Sequence, residues 1–173
     1  MLIVVSGGSA SGKSAFAEGL ITAENPAMSR IYLATMKIWD KESERRVARH
    51  RAMRADKGFE TVECPTHLEK VQVPPGSAVL LEDLSNLTAN EWFGAEQNDA
   101  TERILAGVTR LANRSALTVI VTNELFSDGA VYDKETADYL ACLAGLNCSI
   151  AARADRVYEV VCGLPILWKG ERI

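Results

Sequence analysis

No stretch of this chain approaches the roughly 20 consecutive apolar residues that a membrane-crossing helix needs, so no membrane span is expected. Cysteine pairing is missing too. Cys64, Cys142, Cys148 and Cys162 show no C-x-x-C spacing, and only His50 and His67 are available beside them. Neither a zinc site nor a disulfide framework is expected, and reduced thiols fit a cytoplasmic protein. There is no basic surplus: 19 Lys and Arg stand against 23 Asp and Glu, for a net charge of −4. That balance argues against general attraction to nucleic acid or a membrane surface. The first residues hold no basic region, so no signal peptide is expected. Internal repeats, low-complexity stretches and long linkers are absent, and 173 residues suit a single domain, 1–173.

What is present begins at once. The apolar run Leu2-Ile3-Val4-Val5 leads into Gly7-Gly8-Ser9-Ala10-Ser11-Gly12-Lys13-Ser14, a complete G-x-x-x-x-G-K-S phosphate-binding loop. Glycines let backbone N–H groups curl around phosphate oxygens, and the dipole of a following helix favours the negative charge. Lys13 is placed to reach the β- and γ-phosphates of a nucleoside triphosphate, and the Ser14 hydroxyl to hold Mg²⁺.

Short β-branched runs alternate with longer segments of helical period, which predicts an α/β, three-layer P-loop NTPase-like fold with a mostly parallel sheet. Strands are expected at Leu2–Ser6, Ile31–Ala34, Phe59–Glu63, Ala78–Leu81 and Leu117–Thr122. A C-terminal antiparallel hairpin of Arg156–Val161 and Pro165–Trp168 should turn at Gly163-Leu164. Helices are expected at Lys13–Glu24, Asp40–Lys57, Leu84–Phe93, Asp99–Arg114 and Lys134–Arg153. Asn25-Pro26, Pro74-Pro75-Gly76 and Ser127-Asp128-Gly129 supply turn signals. Ligands of such sheets gather at the carboxyl ends of the strands, so candidate residues are those just after each strand.

Strand four closes on Glu82-Asp83. An acidic residue there commonly orients Mg²⁺ in P-loop proteins, and we assign Glu82 to the metal and Asp83 to the cap of the next helix. After strand two, Arg45, Arg46, Arg49, Arg51, Arg54 and Lys57 crowd around His50, with Arg46, His50 and Arg54 on one helical face. Such a run also suits a plain solvated basic face. Neighbouring positive charge disfavours imidazolium, so the ring stays neutral, and a neutral ring nitrogen is a nucleophile for phosphorus. The pattern therefore permits a nucleotidyl-histidine intermediate, with the arginines neutralising phosphate and departing pyrophosphate. Glu63 is either an acceptor for a ribose or base N–H or a surface strand carboxylate. His67 has no acidic or cysteine cluster at ligand spacing and reads as structural or incidental. The segment after Val121-Thr122-Asn123-Glu124 contains no N-K-x-D guanine-reading motif, against a GTPase switch. With Gly129, Phe126 and Tyr132 it suits a substrate lid or ordinary loop packing. Two further readings fit the same residues: a small-molecule kinase without nucleotidyl transfer, and a nucleotide-sensing regulatory module.

Nearly the whole chain resembles the bifunctional adenosylcobinamide kinase/adenosylcobinamide-phosphate guanylyltransferase family. The resemblance runs through the P-loop, Ile31-Tyr32-Leu33-Ala34-Thr35, Arg46-Val47-Ala48-Arg49-His50-Arg51, Thr61-Val62-Glu63-Cys64 and Leu80-Leu81-Glu82 with Asn90. It continues in Val121-Thr122-Asn123-Glu124 and in Asn147 ahead of Ala154-Asp155. It implies phosphorylation of a cobinamide hydroxyl by ATP or GTP, then guanylyl transfer from GTP through a guanylylated His50. It also implies a nucleotide site of Gly7, Gly8, Ser9, Ala10, Ser11, Gly12, Lys13 and Ser14 with Ala34, Thr35, Met36, Arg51, Ala52, Met53, Arg54, Glu63 and Glu82. A corrinoid substrate and a homotrimer are implied as well. The chain departs from the family pattern at Ala10 and Ala15, where many relatives carry arginines, along Leu125–Tyr132, and at Cys148-Ser149.

Overall fold

The structure is a computed structural model that describes residues 1–24, 26–37, 41–94 and 99–171; of residues 42, 43, 46, 49–51 and 53 it describes the backbone only. Asn25 of the first expected turn and Asp40 of the second expected helix lie outside the described residues. Seven strands, β1 Leu2–Gly7, β2 Arg30–Ala34, β3 Phe59–Glu63, β4 Ala78–Glu82, β5 Leu117–Asn123, β6 Arg156–Val161 and β7 Leu164–Lys169, form one sheet in the order β3-β2-β4-β5-β1-β6-β7. Every pairing is parallel except β6 with β7. Between the strands run α1 Lys13–Thr22, α2 Lys41–Arg54, α3 Leu84–Trp92, α4 Ala100–Arg114 and α5 Lys134–Arg153.

The central strands are apolar on both faces because helices cover both. Ile3, Val5, Tyr32, Leu80 and Val119 face α1, and Val4, Leu33, Leu81 and Ile120 face α3, α4 and α5. Each fully buried branched side chain contributes about 1.5–3 kcal/mol. Helix α4 shows how pattern becomes packing: Ile104, Val108 and Leu111 recur at helical spacing and are buried. Its Gly107 lets a 3-10 turn at Leu68–Lys70 lie directly on the helix, since a side-chain carbon there would come within 2.7 Å of Leu68 Cγ. Arg110 and Arg114 fasten the same segment through the carbonyls of Glu69 and Val73, both at 2.6 Å.

Some boundaries differ from expectation. The first helix stops at Thr22 and not at Glu24, its C-cap N–H groups bonding back to the Gly19 and Ile21 carbonyls. The second ends at Arg54, where tight turns through Ala55 and Lys57 lead to left-handed Gly58. The hairpin turns at Cys162-Gly163 and not at Gly163-Leu164. Both turn residues have positive φ, and Leu164 is the first residue of β7, opposite Val161.

Candidate functional site

Strand β1 delivers the chain to the carboxyl edge of the sheet, and the P-loop bridges it to α1. Gly12 sits at φ 94, a left-handed conformation that suits glycine, and α1 starts immediately afterwards. Gly7 is required for room, as a side-chain carbon would lie 2.6 Å from the Val160 carbonyl oxygen. The loop closes on itself through Ser11 N–H to Gly8 O (3.2 Å), and buried Lys13 reaches back from α1 with Nζ 3.0 Å from the same oxygen. Ser9, Ala10 and Gly12 stay exposed around it.

The other strands bring their ends into line. Ala34 is in register with Glu63 on one side and Glu82 on the other, and Gly7 with Asn123. Ser14 Oγ donates to Glu82 Oε1 at 2.6 Å, while Glu82 Oε2 is buried with no hydrogen-bond partner among the described residues. Burial raises the Glu82 carboxyl to about 7; the Ser14 hydrogen bond and Lys13 oppose the rise, and Asp83 and Glu18 add to it. Two hard oxygen donors this close, one buried carboxylate oxygen still open, suit a small divalent cation.

Asp83 is committed elsewhere. It caps α3 by accepting from Asn86 N–H (2.7 Å), and Oδ2 accepts from the side-chain amides of Asn86 (3.1 Å) and Asn123 (3.0 Å). Burial raises its pKa, and these hydrogen bonds hold it down. The Glu82–Asp83 peptide is cis. Thr35 is fully buried and serves this junction. Its hydroxyl accepts from Asp83 N–H (2.7 Å) and lies 3.0 and 2.9 Å from the Glu82 and Asp83 carbonyls. Its own N–H donates to Glu82 O, and its carbonyl accepts from Asn90 Nδ2 (2.8 Å). Every polar group of Thr35 is thus engaged within the protein, so it holds the acidic pair in place. Asn90, whose amide also reaches Pro65 O (2.9 Å), and Ser85, whose hydroxyl meets Asn123 N–H (2.9 Å), belong to the same scaffold. Their separation along the chain hid them from spacing arguments.

Helix α2 leaves the carboxyl edge after β2 and returns antiparallel to the strands. The side chains of His50, Arg51 and Met53 lie outside the described residues, and Ala52 is exposed. Arg54 is buried, its guanidinium 3.4 Å from the centroid of the Tyr32 ring, with Nε and Nη1 lacking hydrogen-bond partners among the described residues. Just beyond, Lys57 pairs with Glu18 of α1. This fixes the end of α2 over β2, two residues below the strand's last residue, Ala34. His50 stands one turn, about 6 Å, back along the helix axis toward the carboxyl edge of the sheet. Met36 is half-buried, and Glu63 is exposed at the end of the edge strand β3.

The fold also gathers a cluster absent from the sequence spacing: His67, Glu69 and Glu91 lie with ligand atoms within 4.8 Å of one another. Glu91 is fully engaged, accepting from His67 N–H and pairing with Arg103, both at 2.6 Å; His67 Nδ1 is 3.2 Å from Glu69 Oε1, while Glu69 Oε2 is buried with no hydrogen-bond partner among the described residues. Burial and the two glutamates push the neighbouring Cys64 thiol up to about 12. The loop after Asn123 is exposed at Leu125, Phe126, Val131 and Tyr132. Glu124 there accepts from Phe126 N–H (2.8 Å) and Ser127 Oγ (3.0 Å).

A model of the family described as cobinamide kinase / cobinamide phosphate guanyltransferase matches residues 3–167. The bifunctional adenosylcobalamin biosynthesis protein CobU of Salmonella typhimurium is 32% identical over 96% of this chain and 98% of its own length. Its Escherichia coli counterpart is 31% identical over the same shares. Among solved structures, the flagellar accessory protein FlaH of Methanocaldococcus jannaschii superposes with a TM-score of 0.54 at 10% identity, over 98% of this chain and 78% of that one; this is a likeness of fold.

Proposed function

We infer the chemistry from one premise: this chain belongs to the cobinamide kinase / cobinamide phosphate guanyltransferase family. It is an enzyme of two steps. Adenosylcobinamide is phosphorylated on its side-chain hydroxyl by ATP or GTP. GMP is then moved from GTP to the resulting phosphate, giving adenosylcobinamide-GDP. The observation that carries this reading is the P-loop at the sheet edge with Ser14 set on Glu82 at 2.6 Å.

In the kinase step, backbone N–H groups from Gly8 to Ser14 receive the phosphates, and Lys13 neutralises the transferred group. Ser14 Oγ and Glu82 would hold Mg²⁺, which when bound offsets phosphate charge. In the second step a neutral His50 nitrogen attacks the α-phosphorus of GTP. A P–N bond forms, the bond to the bridging oxygen breaks, and pyrophosphate leaves with that electron pair. An oxygen of the corrinoid phosphate then attacks the same phosphorus and releases the ring. Arginines of α2 stabilise the spreading charge. Ala34, Met36, Arg51, Ala52, Met53, Arg54 and Glu63 line the rest of the nucleotide site, with Thr35 acting through Glu82 and Asp83. The exposed apolar side chains of residues 125–132 support a role for that loop in covering the corrinoid.

One domain carries both reactions, in the cytoplasm, and three copies assemble. The apolar face of Val161, Leu164, Ile166 and Trp168, each more than 40% exposed, supports an assembly. Wild-type protein given adenosylcobinamide and GTP should yield the GDP adduct by mass spectrometry. The His50→Ala variant should stop at the phosphate. Adduct formed by that variant at the wild-type rate contradicts the covalent route.

A further inference from the structure

The β6–β7 turn reaches the phosphate loop. Cys162 (φ 51) and Gly163 (φ 80) are both left-handed, the two-residue geometry that matches strand twist. Gly163 N–H donates to the Ser11 carbonyl at 2.8 Å. The approach is close: a side-chain carbon on Gly12 would come within 3.2 Å of Gly163 Cα. Strand β6 runs beside β1 as far as the Ser6–Glu159 pair, so the hairpin backs the whole exit from β1.

A trans peptide is planar, and its carbonyl and N–H point in opposite directions. The Ser11–Gly12 peptide has its oxygen turned back onto the hairpin and held there. Its Gly12 N–H is therefore turned away from the hairpin, and among the described residues no backbone carbonyl accepts it. Rotating that peptide would cost the Gly163 hydrogen bond. We propose that Gly163 is a positioning residue for the triphosphate: its N–H, by holding Ser11 O, aims the Gly12 N–H at a phosphate oxygen. The Cys162-Gly163 turn thereby forms the back wall of the nucleotide site. This rests on the reading of Gly7–Ser14 as a triphosphate loop.

Cys162 supplies a native junction for the test. A thioester of residues 1–161 is ligated to synthetic 162–173 in which the Cys162–Gly163 amide is replaced by an ester, removing one donor and no side chain. GTP and inorganic tripolyphosphate should each bind about three- to tenfold more weakly than to the all-amide ligated protein, the effect of one lost hydrogen bond. Both proteins are compared well below their unfolding temperatures, and guanosine binding should not change. A lower melting temperature with unchanged dissociation constants overturns the proposal, as does an equal loss for guanosine. If the all-amide protein binds neither phosphate probe, the P-loop reading itself fails and takes this inference with it. Should the ester protein not refold, Gly163→Asn and Gly163→Val replace it. Asparagine tolerates positive φ and a β-branched residue does not. The first should bind GTP close to wild type and the second more weakly by the same factor; equal affinities overturn the proposal.

Discussion

The chemistry of single residues is set here by which partners they already have. Glu82 keeps one carboxylate oxygen open and is raised to about 7, chiefly by burial. The folded state therefore holds more protons than the unfolded chain between the ordinary glutamate range and about 7. Stability contributed through this group falls as pH rises across that window. Glu82→Gln carries no such proton, so in metal-free protein its stability relative to wild type should grow from pH 5 to pH 8. Urea unfolding at both values checks this, and an unchanged difference contradicts it. Thr35→Val leaves the Asp83 N–H without its acceptor in a buried site and should cost about 1–3 kcal/mol in the same measurement. The P-loop was legible in the sequence because its eight residues are contiguous and their spacing is the mechanism. The Thr35–Asp83–Asn123 scaffold was not, because its bonds span about 40 to 50 positions of the chain and exist only once β2, β4 and β5 are neighbours.

At the scale of elements, periodicity located strands and helices, and local hydrogen bonding moved their ends. The hairpin turn shifted by one residue because Cys162, an unlikely residue for positive φ on sequence grounds, occupies a left-handed site that spacing alone assigns to glycine. The 3-10 turn at Leu68–Lys70 has no periodic signature; its place is fixed by α4, where a missing side chain makes room. Gly107→Ala gains helix propensity of about 1 kcal/mol but drives a carbon into Leu68 side chain and backbone. The clash should win, lowering the melting temperature by several degrees, while GTP affinity is retained. A variant more stable than wild type contradicts that packing. Helix α2 is the opposite case. Exposed at Lys41, Glu44, Arg45, Ala48 and Ala52, it is held at its far end by Arg54 on Tyr32 and by Lys57 with Glu18. Tyr32→Leu removes the ring beneath Arg54 and should slow guanylyl transfer more than phosphorylation, whereas Tyr32→Phe keeps the stack and should spare both. Parallel losses in both rates contradict an anchoring role specific to α2.

Across the whole molecule, the mostly parallel sheet delivers Glu63, Ala34, Glu82, Asn123 and Gly7 to one edge, and this much follows from strand order and register. The proposed trimer rests on family resemblance, since composition carries no sign of copy number; sedimentation velocity should give a particle of three chains, and a monomer at micromolar concentration contradicts it. The proposed guanylyl transfer requires α2 and the P-loop to act on one nucleotide. Incubation with α-labelled GTP, followed by denaturation, tests this most directly. Wild-type protein should retain a label stable to alkali and labile to acid, as a phosphoramidate is, and His50→Ala should retain none. Wild-type protein that stays unlabelled while converting adenosylcobinamide phosphate and GTP to the GDP adduct would contradict it.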